Sequence, residues 1–426
     1  MSRLVIKNGR VIDPSQSLDR ICDVAVEDGI VRELGESIFI GDGEEFDASG
    51  LIVTPGFIDM HVHLREPGFE HSETIETGSR SAAAGGFTSI CCMPNTQPVN
   101  DNATVTSYIK DRARQFAVVN VYPIGAITKD SAGEELSAIA SMKQAGIVAI
   151  SDDGRPVMNA RVARRAMEFA RALDLPLIEH CEDLHLSAGG TMHEGVQSTR
   201  LGLRGIPRSS EDVMVARDII LAELTGVRYH VAHISSQYSV EMVGFAKRRG
   251  LPVTAEATPH HFAISDAEML PYDGSYKMKP PLREARDVEA VTDGLVNGTI
   301  DAIATDHAPH PGDEKMQEFE RCPFGIIGLE TAIGLSLERL YHPGKVSLPH
   351  LIGLFTQNPA RILSLPCGTL RIGSRADITI LGLDHEWVYE VAKSPSKSRN
   401  TPFDGHRFRG GPVATIVGGK IVWRFD

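Results

Sequence analysis

Apolar positions in this chain follow two rhythms. Between residues 56 and 310, short apolar or β-branched runs alternate with longer stretches whose apolar positions recur every three to four residues. The runs at 57–63, 88–93, 118–126, 146–151, 176–180, 228–233, 253–258 and 302–305 number eight. The stretches between them, such as 131–144, 160–173, 211–224 and 240–249, read as amphipathic helices with Gly or Pro near their ends. Strands and helices alternating in this way specify a (β/α)8 TIM barrel over residues 56–366, which gathers its chemistry where the strands end at the C-terminal face.

The chain ends have a shorter period. Residues 1–55 hold short strands broken by turn dipeptides: LVIKNGRVI carries an Asn-Gly hairpin signal and VEDGIVREL an Asp-Gly one. Residues 367–426 repeat the pattern in ADITILGL and in PVATIVGGKIVWRF, with Gly418-Gly419 as a further turn. Neither end alone has enough strands to bury a face, so together they are expected to form one small composite β-sandwich domain. The polar stretch KSPSKSRN, 393–400, reads as a solvated loop.

Composition narrows the partners. The chain has 426 residues, 42% hydrophobic and 23% charged, which is ordinary for a globular protein, and no apolar run is long enough to span a membrane. A formal net charge of −13 disfavours nucleic acid and anionic membrane surfaces, both of which attract basic patches. An anionic substrate would need a pocket made locally positive by metals and a few Arg or Lys. The N-terminus lacks the uninterrupted apolar stretch of a secretory signal. Cys22, Cys91, Cys92, Cys181, Cys322 and Cys367 show no CxxC spacing, so reduced thiols and a cytoplasmic location are expected. Cys181 adjoins His180 and so should face the other way.

Candidate chemistry sits at the strand ends. His61 and His63 close the first run two residues apart, so their imidazoles point into the same space. Asp152 and Asp153 follow the fourth run, His180 ends the fifth, His233 ends the sixth, and Asp306 and His307 follow the eighth. A barrel brings these ends together. Four histidines and two carboxylates exceed what one tetrahedral zinc needs, so a pair of divalent ions sharing a bridge fits better. Such a pair holds a hydroxide and polarises a carbonyl, and imidazole with carboxylate favours zinc.

These residues lie in motifs that resemble a known family. HVHLREPG at 61–68, MPNT at 93–96, SDDG at 151–154, EATPHH at 256–261, PPLR at 280–283 and TDHAPH at 305–310 together resemble a dihydroorotase of the amidohydrolase superfamily, over nearly the whole chain. The likeness is to the type I class, whose two metals share an aspartate where hydantoinases, allantoinases and type II enzymes use a carboxylated lysine. Asp153 stands at that place. The resemblance implies one zinc on His61, His63 and Asp306 and a second on His180 and His233, with Asp153 and a hydroxide bridging them. Asp306 would be the catalytic acid/base in the reversible closure of N-carbamoyl-L-aspartate to L-dihydroorotate. Arg65, Asn95 and His310 would hold the substrate carboxylate, Arg because its planar fork donates two parallel bonds. Backbone groups at Phe324 and Gly325 would meet the ring.

One position departs from the family pattern: Lys279 stands where NPPLR has a substrate-touching Asn. His260 and His261 are left to packing because the ligand set is complete without them. The stretch 311–328 is long and polar enough for a lid. The resemblance also implies a homo-oligomer and makes aspartate carbamoyltransferase a candidate partner. Two other readings follow from it: an allantoinase- or hydantoinase-like enzyme, against which MPNT and the missing lysine argue, and a structural homologue without ligands, against which the intact ligand set argues.

Overall fold

The computed structural model describes residues 3–425. The N-terminal segment forms β1 (Arg3–Asp13), β2 (Leu18–Glu27), β3 (Ile30–Gly35), β4 (Glu44–Asp47) and β5 (Ile52–Pro55). The Asn8-Gly9 pair sits inside β1 and makes a bulge, with the register to β2 shifting between Ile6 and Gly9. No hairpin forms there. A two-residue reversal of this kind needs positive φ at both central residues, and only Asn8 has it, at 60°. Asp28 and Gly29, at 48° and 78°, meet the condition and join β2 to β3.

The middle of the chain supplies β6 (Phe57–Val62), β7 (Phe87–Cys92), β8 (Asn120–Pro123), β9 (Leu177–Glu179), the short pair β10 (Met192–His193) and β11 (Gly205–Ile206), then β12 (Tyr229–Val231), β13 (Val253–Ala257) and β14 (Ala302–Ile303). β6, β7 and β8 pair in parallel in that order, and β9, β12, β13 and β14 do the same. The expected strand at 146–151 is reduced to one bridging residue. Ile150 pairs in parallel with Gly125 on one side and Leu177 on the other, and Val62 pairs with His307 beyond β14. Met60, Cys91, Ile124, Ala149, Ile178, Ala232 and Ala302 meet in one buried cluster, so successive parallel segments each contribute to a common interior. The outward faces pack under the helices in a larger core.

Most helices lie near their expected places: Ala160–Ala172, Ser209–Thr225 and Gln237–Arg248. The helix expected over 131–144 shrinks to Ile139–Ala145. Asp130, Ser131 and Gly133 all have positive φ and turn the chain before it. Among the described residues, no helix is long and apolar enough to cross a membrane.

The C-terminal segment adds β15 (Ile378–Val388), β16 (Arg407–Val417) and β17 (Lys420–Arg424), the last two joined at Gly418-Gly419 as expected. β15 pairs with β5, so both chain ends join one sheet in the order β17-β16-β15-β5-β1-β2-β3, with β4 on β1. The expected sandwich is thus a single eight-stranded sheet. Leu4, Val24, Val31, Val53, Ile378 and Ile416 share one apolar cluster, so the sheet carries a core of its own.

Candidate active site

His61 lies near the end of β6 and His63 just past it, both pointing into a buried space. Asp59, on the same strand, accepts from the backbone N–H groups of His61 and Thr305 and ties β6 to the segment after β14. His63 Nε2 lies 3.0 Å from Asp306 Oδ1 and 3.4 Å from Asp153 Oδ2. His61 Nε2 is 3.4 Å from Asp153 Oδ1 and 3.5 Å from Asp306 Oδ1. His180 Nδ1 and His233 Nε2 each stand 3.6 Å from Asp153 Oδ1 and 2.9 Å from each other. Asp153 is therefore the centre of the group, and all six expected ligands are brought together and buried.

The spacing suits metal. Donors held about 2.0–2.2 Å from a tetrahedral ion lie roughly 3.3–3.6 Å apart, close to most of the separations found. His61 Nε2 and Asp153 Oδ1 are buried without a hydrogen-bond partner, an arrangement that costs free energy unless a cation sits between them. Two triads, His61/His63/Asp306 and His61/Asp153/His233, keep their donor atoms within 4.8 Å. A third such cluster, His193/Glu284/Asp287, is already filled, because the Arg208 guanidinium binds both carboxylates.

A second tier of residues, not singled out in the sequence, orients the imidazoles. Glu256 Oε1 lies 2.7 Å from His61 Nδ1, which directs the other ring nitrogen into the site. Glu182 Oε2 does the same for His180 from 3.0 Å. Asn95, expected on substrate, has its Oδ1 2.9 Å from His63 Nδ1, so only its amide NH2 is left to face a ligand. Glu256 and Glu182 adjoin expected ligands or motifs, and a rule that ligating imidazoles need a carboxylate behind them would have found them.

Charge follows the same pattern. Burial opposes ionisation of Asp153, yet the surrounding histidines, His61 foremost, hold its carboxyl well below the usual range. Asp306 is likewise held low against burial by its bond to His63. Burial opposes the charge on Glu256 too, but His61 and His230 pull it down to about 2. Arg65, His233 and Asp306 all have positive φ, 61°, 30° and 48°. Such conformations cost about 1–3 kcal/mol each and collect at functional sites.

The other expected residues divide. Asp152 turns away from the site to accept from the Ile127 and Thr128 N–H groups, and burial pushes it up to about 6. His307 faces Glu73, His261 bonds Thr258 and the Pro280 carbonyl, and Cys181 packs outward against the Tyr229 hydroxyl. Arg65, Asn95, Lys279, His310, Phe324 and Gly325 line one cavity of about 280 Å³ together with Asp153, His180 and Asp306. Lys279 points to Glu182, with Nζ 2.8 Å from Oε1, and rests 4.7 Å over the Phe324 ring.

His310 Nε2 is 2.9 Å from the Phe324 carbonyl and 3.3 Å from Arg65 Nη2. The carbonyl needs a proton on that nitrogen and Arg65 needs a lone pair, so the shorter contact decides, and the guanidinium keeps that donor for a ligand. Burial and Arg65 lower His310 to about 3, leaving it neutral. Gly325 spends both backbone groups inside the protein, donating to the Lys277 carbonyl and accepting from Lys315 and Asn400. Its expected backbone contact to a ring gives way to a role in shaping the wall. A Cβ there would lie 2.7 Å from that of Ala308.

The stretch 393–400 is not a solvated loop. Ser394, Ser396, Ser398 and Asn400 are buried. Ser394 donates to Glu330, Ser396 to Glu73 and Ser398 to the Ser72 carbonyl. Its polar side chains find partners distant in sequence, so the segment is a strap tied down to Ser72, Glu73 and Glu330.

Comparison with known proteins comes to the same place. The Dihydro-orotase-like family profile matches residues 50–239. The chain is 65% identical over 420 residues to a dihydroorotase of Solibacter usitatus, covering 99% of this chain and 98% of that one. It is 54% identical to a dihydroorotase of Pelotomaculum thermopropionicum, with the same coverage. Among solved structures, an L-hydantoinase of Arthrobacter aurescens superposes with a TM-score of 0.89 at 26% identity, covering 100% of this chain and 96% of that one. A dihydropyrimidinase of Brevibacillus agri NCHU1002, at 22% identity and a TM-score of 0.86 over 99% and 95%, shares the fold.

Proposed function

The chain belongs to the dihydroorotase family, and on that premise we propose that it is a type I member with two zinc ions bridged by Asp153. It is a metal-dependent cyclic amide hydrolase, and its reaction is the reversible closure of N-carbamoyl-L-aspartate to L-dihydroorotate with loss of water. The observation that carries the site assignment is the set of four buried histidines converging on Asp153, with Asp306 against His61 and His63, and with His61 Nε2 and Asp153 Oδ1 orphaned toward each other.

In this reading His61, His63 and Asp306 hold one ion, His180 and His233 the other, and Asp153 both. When bound, the ions supply Lewis-acid polarisation of the amide carbonyl and a water acidic enough to ionise near neutral pH. The chain's own groups do the rest. Asp306, held as a carboxylate, takes the proton of the attacking water in hydrolysis and returns it to the departing ring nitrogen. Ring closure starts from the protonated carboxyl and is therefore favoured at lower pH. Arg65 grips the substrate carboxylate through two parallel N–H donors, with the Asn95 amide beside it and neutral His310 fixed against Phe324. Lys279 adds positive charge to that end while paired with Glu182.

The parallel pairings that lead from β6 through Ile150 to β14 and back at Val62 support a closed (β/α)8 barrel over residues 56–366. Residues 1–55 and 367–426 form the satellite domain. A cytoplasmic homo-oligomer, with aspartate carbamoyltransferase as a candidate partner, completes the proposal.

Metal analysis joined to assays on L-dihydroorotate and allantoin tests it. We expect about two zinc ions per chain and turnover of dihydroorotate. Preferential turnover of allantoin would replace this substrate with that of a related amidohydrolase.

A further inference from the structure

Two lysines are buried against backbone carbonyls. Lys277 and Lys315 are 2% and 7% exposed, and among the described residues neither forms an ion pair. Lys277 Nζ instead donates to the carbonyls of Phe319, Glu320 and Cys322 at 2.6, 3.1 and 2.7 Å. Lys315 Nζ donates to those of Lys277, Pro323 and Gly325 at 3.1, 2.9 and 3.0 Å. Burying an ammonium is expensive unless its donors are all used, and apolar residues would fill such space at less cost. The expense therefore points to geometry as the gain.

All of these carbonyls except that of Lys277 belong to 311–328, the stretch expected to form a lid. Lys277 also lies 4.5 Å from the centre of the Phe324 ring, and its own carbonyl receives the Gly325 N–H at 2.9 Å. A third donor is Asn400, 4% exposed, whose Nδ2 donates to Ala308 O at 2.9 Å and Gly325 O at 3.0 Å. Its Oδ1 accepts from the His310 N–H at 3.1 Å, and its carbonyl from Ile327. Gly325 O is thus held by donors from two directions, and the two segments that line the substrate end are locked to each other.

We infer that Lys277, Lys315 and Asn400 are positioning residues that hold Phe324, Gly325 and His310 as a rigid wall for the carboxylate-bearing ring of dihydroorotate. They act through the wall and touch no reacting atom. The inference rests on the substrate reading given above. Burial lowers Lys315 to about 8, in line with an ammonium taken out of water.

The test compares Lys315→Ala, Lys277→Met and Asn400→Ala with the wild-type holoenzyme. In each variant KM for L-dihydroorotate should rise about tenfold or more while kcat falls less and zinc content stays unchanged, because disorder of the wall weakens binding without touching the ligands. Added methylammonium should restore KM in Lys315→Ala, since it refills the ammonium position, and should leave Asn400→Ala unaffected. Chymotrypsin should cut at Phe319 and Phe324 faster in all three. Unchanged KM and cleavage would overturn the inference, as would a rise in KM accompanied by an equal fall in kcat and loss of zinc, which marks general unfolding. If wild type fails to turn over dihydroorotate, the substrate reading falls, and unchanged cleavage in the variants would then remove the clasp as well.

Discussion

The two ends of the pocket are built by different means. At the metal end, every expected ligand lies at or just beyond the end of a parallel segment, and its orientation follows from strand alternation and from Glu256, Glu182 and Asn95 behind the rings. At the proposed substrate end, Arg65, His310, Phe324 and Gly325 sit on irregular chain, and buried donors from Lys277, Lys315 and Asn400 hold the backbone around the last three. A regular scaffold can place a ligand through the period of a strand alone. An irregular wall needs every backbone group paired separately, since a buried loop has no ladder to satisfy it.

Mutations can test that contrast. Asp306→Asn should lower kcat roughly 10²–10⁴-fold while the bound metal is retained, because the amide cannot carry the proton; retained turnover would remove Asp306 from the proton path. Arg65→Ala should raise KM for dihydroorotate by about 10–100-fold at unchanged metal content, as expected when a charge-assisted fork is lost. If metal is lost with it, the two ends are not separable. Glu256→Gln should weaken metal affinity by about 10–100-fold, read by competition with a chelator, because it loosens the His61 ring. An unchanged affinity would mean that burial alone orients that ring.

The smallest effect concerns the strap. Glu330, which receives Ser394 and Ser81, is pushed up to about 7 by burial. A carboxyl raised from its ordinary 4.5 binds a proton more tightly folded than unfolded, so its contribution is full below about 4.5 and is lost as pH rises through about 7. Glu330→Gln should therefore stabilise the protein more at pH 8 than at pH 5, by on the order of 1 kcal/mol after allowing for its partial exposure. Melting curves at the two pH values decide it, and an equal shift at both would assign the change to packing.

Much of the metal end was legible because its cues are local. HVH, SDDG and TDHAPH each place a ligand at the end of an apolar run, and only the choice between Asp152 and Asp153 needed the family pattern before coordinates separated them. The hairpin at Asn8-Gly9 was misread because the dipeptide permits two positive φ values and the fold uses one. The strap was misread because serine, lysine and asparagine look solvated until Glu73, Glu330 and the Ala308 carbonyl supply partners.

By itself, the sequence determined which residues can bind metal, the alternation of strand and helix that brings them to one mouth, and the family to which they belong. All of these are written in spacing and residue type along short stretches. Only the tertiary structure decided that Asn95 supports His63, that Lys279 pairs with Glu182, and that Lys315 and Asn400 meet at the Gly325 carbonyl while Lys277 binds those of residues 319, 320 and 322. The physical reason is that a hydrogen bond between buried groups depends on distance in space, and no pattern along the chain records which distant carbonyl a buried donor will reach.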